Sequence, residues 1–248
     1  MKYKDYSTDI WNRIHTTLDQ VLKADSAPIA AFDADGTLWD TDLGENFFHY
    51  QIDNKLVPLP KNAWEHYQDL KAQEPKVAYL WLAQICQGRP LEEVQKWAAE
   101  ALKSHHPVPV FEEQKKIIDL FVSKGVQVYV VTASIKWAVE PGAGTLMGLP
   151  FENVIGVETE SIDGVITDKQ KGIISYRQGK VEALLAKTGG KKPFFASGNT
   201  MGDYQLMQAA THLSLAVSAA SRDDKIFKTE FELQEKATEH GWLRHRFI

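Results

Sequence analysis

The chain has 248 residues, of which 44% are hydrophobic and 25% charged, and it contains a single cysteine. This length allows one or two domains and a large core without disulfides or structural metals. The formal net charge of −5 gives no general attraction to nucleic acid or to an anionic membrane. One cysteine excludes an intramolecular disulfide and a thiolate metal cluster. No signal peptide or membrane span is predicted, so we expect a soluble cytoplasmic protein.

A helix and a buried strand come first. Apolar residues from Ile10 to Leu22 recur on one helical face, and we predict that this helix ends near Asp25. Residues 28–32 are apolar throughout and stop abruptly at Asp33-Ala-Asp-Gly-Thr37. A buried strand that ends in carboxylates and a glycine is typical of the carboxyl edge of a parallel sheet.

The next segment, from about 44 to 107, has a different character. Its patterns are helical, are interrupted at prolines and include several tryptophans and tyrosines, and no strand pattern is present. We interpret residues 44–107 as an all-helical cap inserted after the first strand. Residues 1–43 and 108–248 would then form the core.

Strand and helix patterns alternate through the rest of the chain. The strand patterns lie at 126–131, 154–157, 164–166, 194–196 and 213–217, the last being the final predicted strand. The helical patterns lie at 111–123, 135–147, 178–187 and 203–210. This alternation predicts an α/β fold, a Rossmann-like parallel sheet with helices on both faces.

Polar residues follow three of these strands. They are Asp33 and Asp35, then Thr132 and Ser134, then the run Gly198–Asp203. Ligands of open α/β sheets bind outside the carboxyl ends of the strands. Turns and helix caps would explain any one cluster, but three together predict one shared site.

The chemistry of the first cluster suits phosphate. Asp33 and Asp35 are crowded carboxylates, which need a cation or a proton to lie stably together. Mg²⁺ commonly binds one or two carboxylates plus a substrate phosphate, and an aspartate can itself attack phosphorus. Attack by an anion on a phosphate dianion is self-repelling, since unit charges ~4 Å apart cost ~4 kcal/mol at an effective dielectric of about 20. The site therefore requires positive charge from a metal and a lysine.

Four motifs, in this order, resemble those of the haloacid dehalogenase-like superfamily. Phe32–Leu38 resembles the first motif, Asp-x-Asp-Gly-Thr, and Val130–Ser134 resembles the second. Gly179-Lys180 resembles the third and Gly198–Asp203 the fourth. The helical segment lies where the first cap domain of that superfamily belongs, so the resemblance covers nearly the whole chain.

The resemblance implies a catalytic role for four residues. Asp33 would attack phosphorus and form an aspartyl-phosphate. Asp35 would protonate the leaving oxygen and then deprotonate the hydrolytic water. Thr132 would hold phosphoryl oxygens, and Lys180 would neutralise the charge of nucleophile and phosphate.

The resemblance also implies Mg²⁺, with no other cofactor. Its contacts would be the Asp33 carboxylate, the Asp35 backbone carbonyl and the fourth motif. Asn199 stands where the superfamily often has Asp, and a neutral amide oxygen binds Mg²⁺ less strongly. Asp203, four residues on, is therefore the other candidate ligand, directly or through water.

The substrate prediction rests on a finer resemblance. The insert and the sequence after Thr132 are most similar to the phosphoserine phosphatase-like branch, and residues 33–53 to bacterial phosphorylcholine phosphatases. Asp42 and Glu45 would lie over the leaving group, and Ser134 would also contact substrate. A carboxylate facing aromatic rings suits an ammonium group, since a cation–π contact contributes ~0.5–2 kcal/mol. We expect a small amine-bearing monoester such as phosphorylcholine, phosphoethanolamine or phosphoserine, while the oligomeric state is left open.

Two other functions share parts of this pattern. A dehalogenase uses the same fold and nucleophile but needs neither Mg²⁺ nor a second acid, so Asp35 argues against it. A phospho-acceptor regulatory domain would keep its phosphate as a signal. The cap and Asp35 favour rapid release, and a Mg²⁺-dependent phosphatase is the interpretation that uses all four motifs.

Overall fold

The computed structural model describes residues 3–248, and its strands form one seven-stranded sheet. The strands are β1 (Ile29–Phe32), β2 (Gln127–Ile135), β3 (Val154–Ile162), β4 (Val165–Lys171), β5 (Phe195–Gly198), β6 (Leu213–Ser218) and β7 (Leu243–Arg246). Their order across the sheet is β4-β3-β2-β1-β5-β6-β7. All neighbours pair in parallel except β3 and β4, which form an antiparallel hairpin.

Ten α-helices accompany the sheet in the described residues. They are α1 (Thr8–Ala24), α2 (Leu43–Asp53), α3 (Ala63–Gln73), α4 (Pro75–Gln84), α5 (Leu91–Ser104), α6 (Glu112–Ser123), α7 (Lys136–Met147), α8 (Gln178–Thr188), α9 (Tyr204–Ala209) and α10 (Phe227–His240). None of these helices has the length and apolar character needed to cross a membrane.

The central strand β1 is buried on both faces of the sheet. Ala30 and Phe32 pack into one core, with apolar residues of α1, α6 and α7. Ile29 and Ala31 pack into a second core, with apolar residues of α8, α9 and α10. Two-sided burial explains why the sequence of β1 is apolar throughout instead of alternating. The predicted α/β fold is confirmed.

Several predicted strand bounds are wrong, since β3 continues to Ile162 and β4 to Lys171, beyond the predicted 157 and 166. The second strand does not end before Thr132, because Ile135 still pairs with Val157 of β3, so β2 carries Thr132 and Ser134 within it. Residues 213–217 are not the last strand either, since β7 pairs with β6 after helix α10. Three of the four β7 residues are Arg or His, and this polar edge strand gives no apolar pattern.

Helices α2–α5, here called the helical insert, lie between β1 and β2 in the chain. They share one apolar cluster, which also includes residues of β2, β4 and α7. Phe48 contacts Trp64 and Trp81, with ring centroids 6.3 and 5.5 Å apart, and Cys86 is fully buried among these helices. These three aromatic residues thus pack the helices of the insert together. The division at 44 and 107 stays a prediction.

The β3–β4 hairpin is bonded to the helical insert by its backbone. The Gly88 amide donates to the Ile166 carbonyl at 2.8 Å, and the Ile166 amide donates to Arg89 at 2.9 Å. The Leu91 amide donates to Gly164 at 2.8 Å. The turn between α4 and α5 therefore extends the hydrogen-bond ladder of the hairpin.

Candidate active site

A cavity of about 380 Å³ lies between the carboxyl ends of β1, β2 and β5 and the helical insert. Every site residue predicted from the sequence lines it. These residues are Asp33, Asp35, Asp42, Glu45, Thr132, Ser134, Lys180, Asn199 and Asp203. The structure thus brings together side chains that are up to 170 positions apart in the chain.

Sheet order explains why these side chains converge. Strand β1 lies between β2 and β5, and Phe32 pairs with Val130 on one side and Ser197 on the other. Asp33 follows immediately, and its amide donates to the Ser197 carbonyl at 2.9 Å. The polar residues after β1 and β5 and those at the end of β2 therefore share one edge of the sheet.

Lys180 joins two carboxylates at the floor of the cavity. Its Nζ lies 2.5 Å from Oδ1 of Asp33 and 2.6 Å from Oδ1 of Asp203, and none of the three residues is more than 6% exposed. Burial alone would lower the pKa of Lys180, but the charges of Asp203 and Asp33 outweigh it and raise that pKa. Lys180 therefore stays an ammonium ion beside Asp33.

The same environment acts on Asp33. Burial and the charge of Asp203 raise the pKa of Asp33 to about 6, while Lys180 opposes the shift. The carboxylate is therefore ionised at neutral pH. An ionised, desolvated carboxylate held by one lysine is suited to nucleophilic attack.

The carboxylate of Asp203 is fully engaged. Its Oδ1 contacts Lys180, and its Oδ2 accepts hydrogen bonds from the backbone amides of Asn199 and Thr200, both at 3.1 Å. Asp203 thus fixes both the lysine and the turn after β5. This pairing favours Asn199 over Asp203 as a direct metal ligand.

Asp35 is held by three donors. Its Oδ1 accepts from Nε1 of Trp39 at 2.8 Å and from the Leu43 amide at 2.9 Å, and its Oδ2 accepts from the Ser134 hydroxyl at 2.7 Å. Burial raises the pKa of Asp35, and these hydrogen bonds oppose the rise. Ser134, predicted to contact substrate, contacts this carboxylate. Thr132 in turn accepts the Ser134 amide at 3.0 Å.

The oxygens that could hold Mg²⁺ come from two strand ends. The Thr37 hydroxyl lies 3.0 Å from Oδ2 of Asp33 and 3.3 Å from Oδ1 of Asn199, so these two oxygens face the same point. In residues 3–248 no group of three His, Cys, Asp or Glu side chains is placed to hold a metal. A carboxylate, an amide oxygen and a backbone carbonyl are nevertheless hard donors that fit Mg²⁺, which completes its octahedral coordination with water and phosphate.

Asp42 and Glu45 lie where the helical insert begins. Asp42 caps α2, since its Oδ1 accepts the Glu45 amide at 2.8 Å. Burial, together with the charges of Asp35 and Glu45, raises the pKa of Asp42 to about 7. Glu45 lies 2.7 Å from Nζ of Lys71 and 3.3 Å from Nζ of Lys225. Burial opposes their effect, yet the two lysines lower the pKa of Glu45.

Sequence reasoning missed the residues that surround Glu45. Nζ of Lys71 lies 5.4 Å from the ring centroid of Tyr67 and 5.8 Å from that of Tyr79, so the ammonium group is held by two rings and a carboxylate. The four-residue spacing of Tyr67 and Lys71 on α3 places them on one helical face and could have indicated this pair. Lys225 lies in a loop of the core, and no local pattern indicates its position.

Comparisons with known proteins agree with this geometry. The sequence profile of the haloacid dehalogenase-like hydrolases matches residues 30–208, which include the carboxylates, the lysine and the turn after β5. The chain belongs to this family. A phosphorylcholine phosphatase of Pseudomonas aeruginosa is 26% identical over 175 residues. The match covers 54% of this chain and 50% of that relative, so the chain spans about half of the relative's length.

Solved structures extend the likeness to the whole fold of this hydrolase. A conserved protein of unknown function from Anaerococcus prevotii has a TM-score of 0.74 and 15% identity, covering 98% of this chain and 95% of that one. A phosphoserine phosphohydrolase-like protein from Francisella tularensis has a TM-score of 0.51 and 18% identity, covering 77% and 87%. At these identities the comparison establishes the shared fold.

Proposed function

We propose that this hydrolase removes phosphate from a small phosphate monoester through an aspartyl-phosphate formed on Asp33. One observation carries the proposal, the contact of Lys180 with both Asp33 and Asp203. A buried ammonium ion at this place offsets the repulsion between a carboxylate and an incoming phosphate. The phosphorylcholine phosphatase relative supports the same class of reaction.

The reaction proceeds in two steps. In the first, a carboxylate oxygen of Asp33 bonds to phosphorus, the bond between phosphorus and the ester oxygen breaks, and Asp35 gives its proton to the leaving oxygen. In the second, Asp35 takes a proton from water, which attacks phosphorus and releases Asp33 and inorganic phosphate. The raised pKa of Asp35 suits a group that must hold a proton in one step and accept one in the next.

Mg²⁺ belongs to the same proposal. Asp33 and Asn199 would hold it through Oδ2 and Oδ1, together with the backbone carbonyl of Asp35. Bound there, the ion would supply positive charge opposite Lys180. The Thr37 hydroxyl, which lies beside both side-chain oxygens, would help to orient them.

For the substrate we propose an amine-bearing monoester. The outer cavity is lined by four carboxylates and by the ammonium groups of Lys71 and Lys225. The carboxylates are those of Asp40, Asp42, Glu45 and Asp224. Glu45 and the rings of Tyr67 and Tyr79 already surround the ammonium group of Lys71, which is the arrangement that a substrate ammonium needs. A substrate amine would take this place by displacing Lys71.

The two lysines favour a second candidate. Lys71 and Lys225 could both bind a carboxylate of the leaving group, which would suit an acidic monoester. Phosphoserine carries an ammonium and a carboxylate and satisfies both groups of residues. The two candidate substrates differ in the charge of the leaving group that would lie in the outer cavity, which is positive in an amine-bearing ester and negative in an acidic one.

A panel of monoesters tests these proposals. Phosphate release is measured with phosphorylcholine, phosphoethanolamine, phosphoserine and p-nitrophenyl phosphate, each with Mg²⁺ and with EDTA. We expect turnover that requires Mg²⁺ and a higher kcat/KM for the amine-bearing esters. Activity on p-nitrophenyl phosphate that EDTA leaves unchanged would instead favour dehalogenase-type chemistry. A phosphoenzyme stable for minutes, without turnover, would favour a signalling domain.

A further inference from the structure

Glu230 is a buried carboxylate that none of the four sequence motifs includes. It lies in the first turn of α10, is 1% exposed and accepts a hydrogen bond from Nδ2 of Asn199 at 3.0 Å through its Oε1. Its Oε2 accepts the amides of Ala219 and Ala220 at 3.1 and 2.9 Å. Both carboxylate oxygens are therefore bonded, one toward the active site and one toward the loop after β6.

These contacts determine which way the Asn199 amide points. With Nδ2 bonded to Glu230, Oδ1 faces the Thr37 hydroxyl and the side of the cavity where Asp33 lies. The reversed amide would place its oxygen against the Glu230 carboxylate and its NH₂ group toward Thr37 and Asp33. Two acceptors without a donor between them repel, so a carboxylate at position 230 selects the first orientation.

Glu230 also supplies a negative charge. An aspartate at position 199 would carry a full charge beside the metal, whereas Asn199 carries none. Glu230 places that charge one hydrogen bond behind the amide oxygen, where it polarises the amide. Oriented groups behind a ligand fix its geometry and increase its basicity.

We propose that Glu230 is a positioning residue that points the oxygen of Asn199 at the metal site and replaces the charge missing from position 199. This inference rests on the proposed function in one respect, that Asn199 binds Mg²⁺. Asn199 and Glu230 then act as one unit, in which the amide contacts the ion and the carboxylate orients the amide. A change in either residue alone should therefore weaken binding of the ion.

The variant Glu230→Gln tests the orientation. The amides of Ala219 and Ala220 would bind the Gln oxygen, so its NH₂ group would face position 199 and favour the reversed Asn199 amide. We expect Mg²⁺ affinity, measured by calorimetry on the substrate-free protein, to fall by roughly 10–100-fold. The control Glu232→Gln, on the exposed side of the same helix, should bind Mg²⁺ like the unchanged protein.

A charge exchange completes the test. Asn199→Asp alone would set two carboxylates against each other and should lower the Tm measured without metal. The double variant Asn199→Asp/Glu230→Gln restores one carboxylate and one donor, and should recover both the Tm and the Mg²⁺ affinity. If Glu230→Gln acted only by loss of packing, a second change at position 199 would not restore the Tm or the Mg²⁺ affinity, so recovery in the double variant indicates a positioning role. The double variant can be measured even if Glu230→Gln alone folds poorly.

Two results would overturn the inference. One is unchanged Mg²⁺ affinity in folded Glu230→Gln, and the other is Tm effects that simply add in the double variant. Neither measurement requires turnover. If the unchanged protein hydrolyses none of the esters but the coupling is found, the proposed function fails and the role of Glu230 stands.

Discussion

Gly36 lies so close to Asn199 that a Cβ added to it would stand 2.1 Å from Nδ2 of the amide, and its φ is +78°. We expect Gly36→Ala to displace Asn199 and to lower both Tm and Mg²⁺ affinity. The matched control is Gly164→Ala, where φ is +79° and no atom lies within 4 Å. Backbone strain alone should cost that control ~1–2 kcal/mol. Equal losses of stability in the two variants would mean that the contact with Asn199 is unimportant.

Replacing the nucleophile should abolish turnover without unfolding the protein. Asp33→Asn keeps the shape of the side chain, and Asp203 still pairs with Lys180. We expect phosphate release to fall by at least roughly 10³-fold, the scale of losing a nucleophile, with a cooperative thermal transition retained. The exposed Asp19→Asn on α1 serves as the control. Retained turnover in Asp33→Asn would remove Asp33 from the chemistry.

The role of Asp35 can be tested by whether a phosphorylated intermediate accumulates when this residue is replaced. In Asp35→Asn the amide can keep the bonds from Trp39 and Leu43, so the loop after β1 should hold its structure. Loss of the proton donor and acceptor should slow steady-state turnover by roughly 10²–10⁴-fold. With a good leaving group, a phosphorylated protein should build up, detectable by intact-protein mass spectrometry after acid quenching. A normal steady-state rate would contradict the acid–base role.

Lys71 should control the response to the charge of the substrate. In Lys71→Met the ammonium group is gone from Glu45, Tyr67 and Tyr79, so we expect KM to fall for phosphorylcholine and to rise for acidic esters. Glu45→Gln should act in the opposite sense, raising KM for cationic esters more than for p-nitrophenyl phosphate. The exposed Lys76→Met on α4 is the control. Equal changes for all esters would exclude this cluster from substrate binding.

Asp42 should make stability depend on pH. Its pKa of about 7 in the folded protein lies above its usual value of 3.8, so folding favours the protonated carboxyl. This contribution to stability is fully present below about pH 4 and is lost as the pH rises through about 7. Asp42→Asn keeps a helix-capping oxygen and stays neutral, so its Tm should exceed that of the unchanged protein increasingly from pH 4 to pH 8. A constant difference in Tm would contradict this assignment.

The sequence alone predicts the catalytic residues of the site better than the residues that surround them. The position of Asp33 follows from an apolar strand that stops at a carboxylate, which is a local pattern. Lys180 has no such pattern, since only its resemblance to a family motif separates it from the other lysines. Its contact with Asp203 depends on how α8 packs against α9 and β2, which a linear pattern does not contain.

The remaining contacts depend on the tertiary fold. Glu230 meets Asn199 across 31 positions, and Lys71 meets Glu45 across 26, both between separate helices or turns. Helix α10 has mixed polarity, and the sequence patterns predict no helix or strand in residues 218–248. Such residues become recognisable only when the sheet order is known.

The backbone bonds between the β3–β4 hairpin and the turn at Gly88–Leu91 constrain how substrate enters. If the helical insert rotated away from the core as a rigid body, the three backbone hydrogen bonds to the hairpin would break, or the hairpin would have to move with the insert. The insert is thus held by its chain connections, by this turn and by apolar packing against β2, β4 and α7. Lys225 and Asp224 line the cavity, and the Lys225 side chain is 67% exposed, so we expect ester and phosphate to exchange on that side.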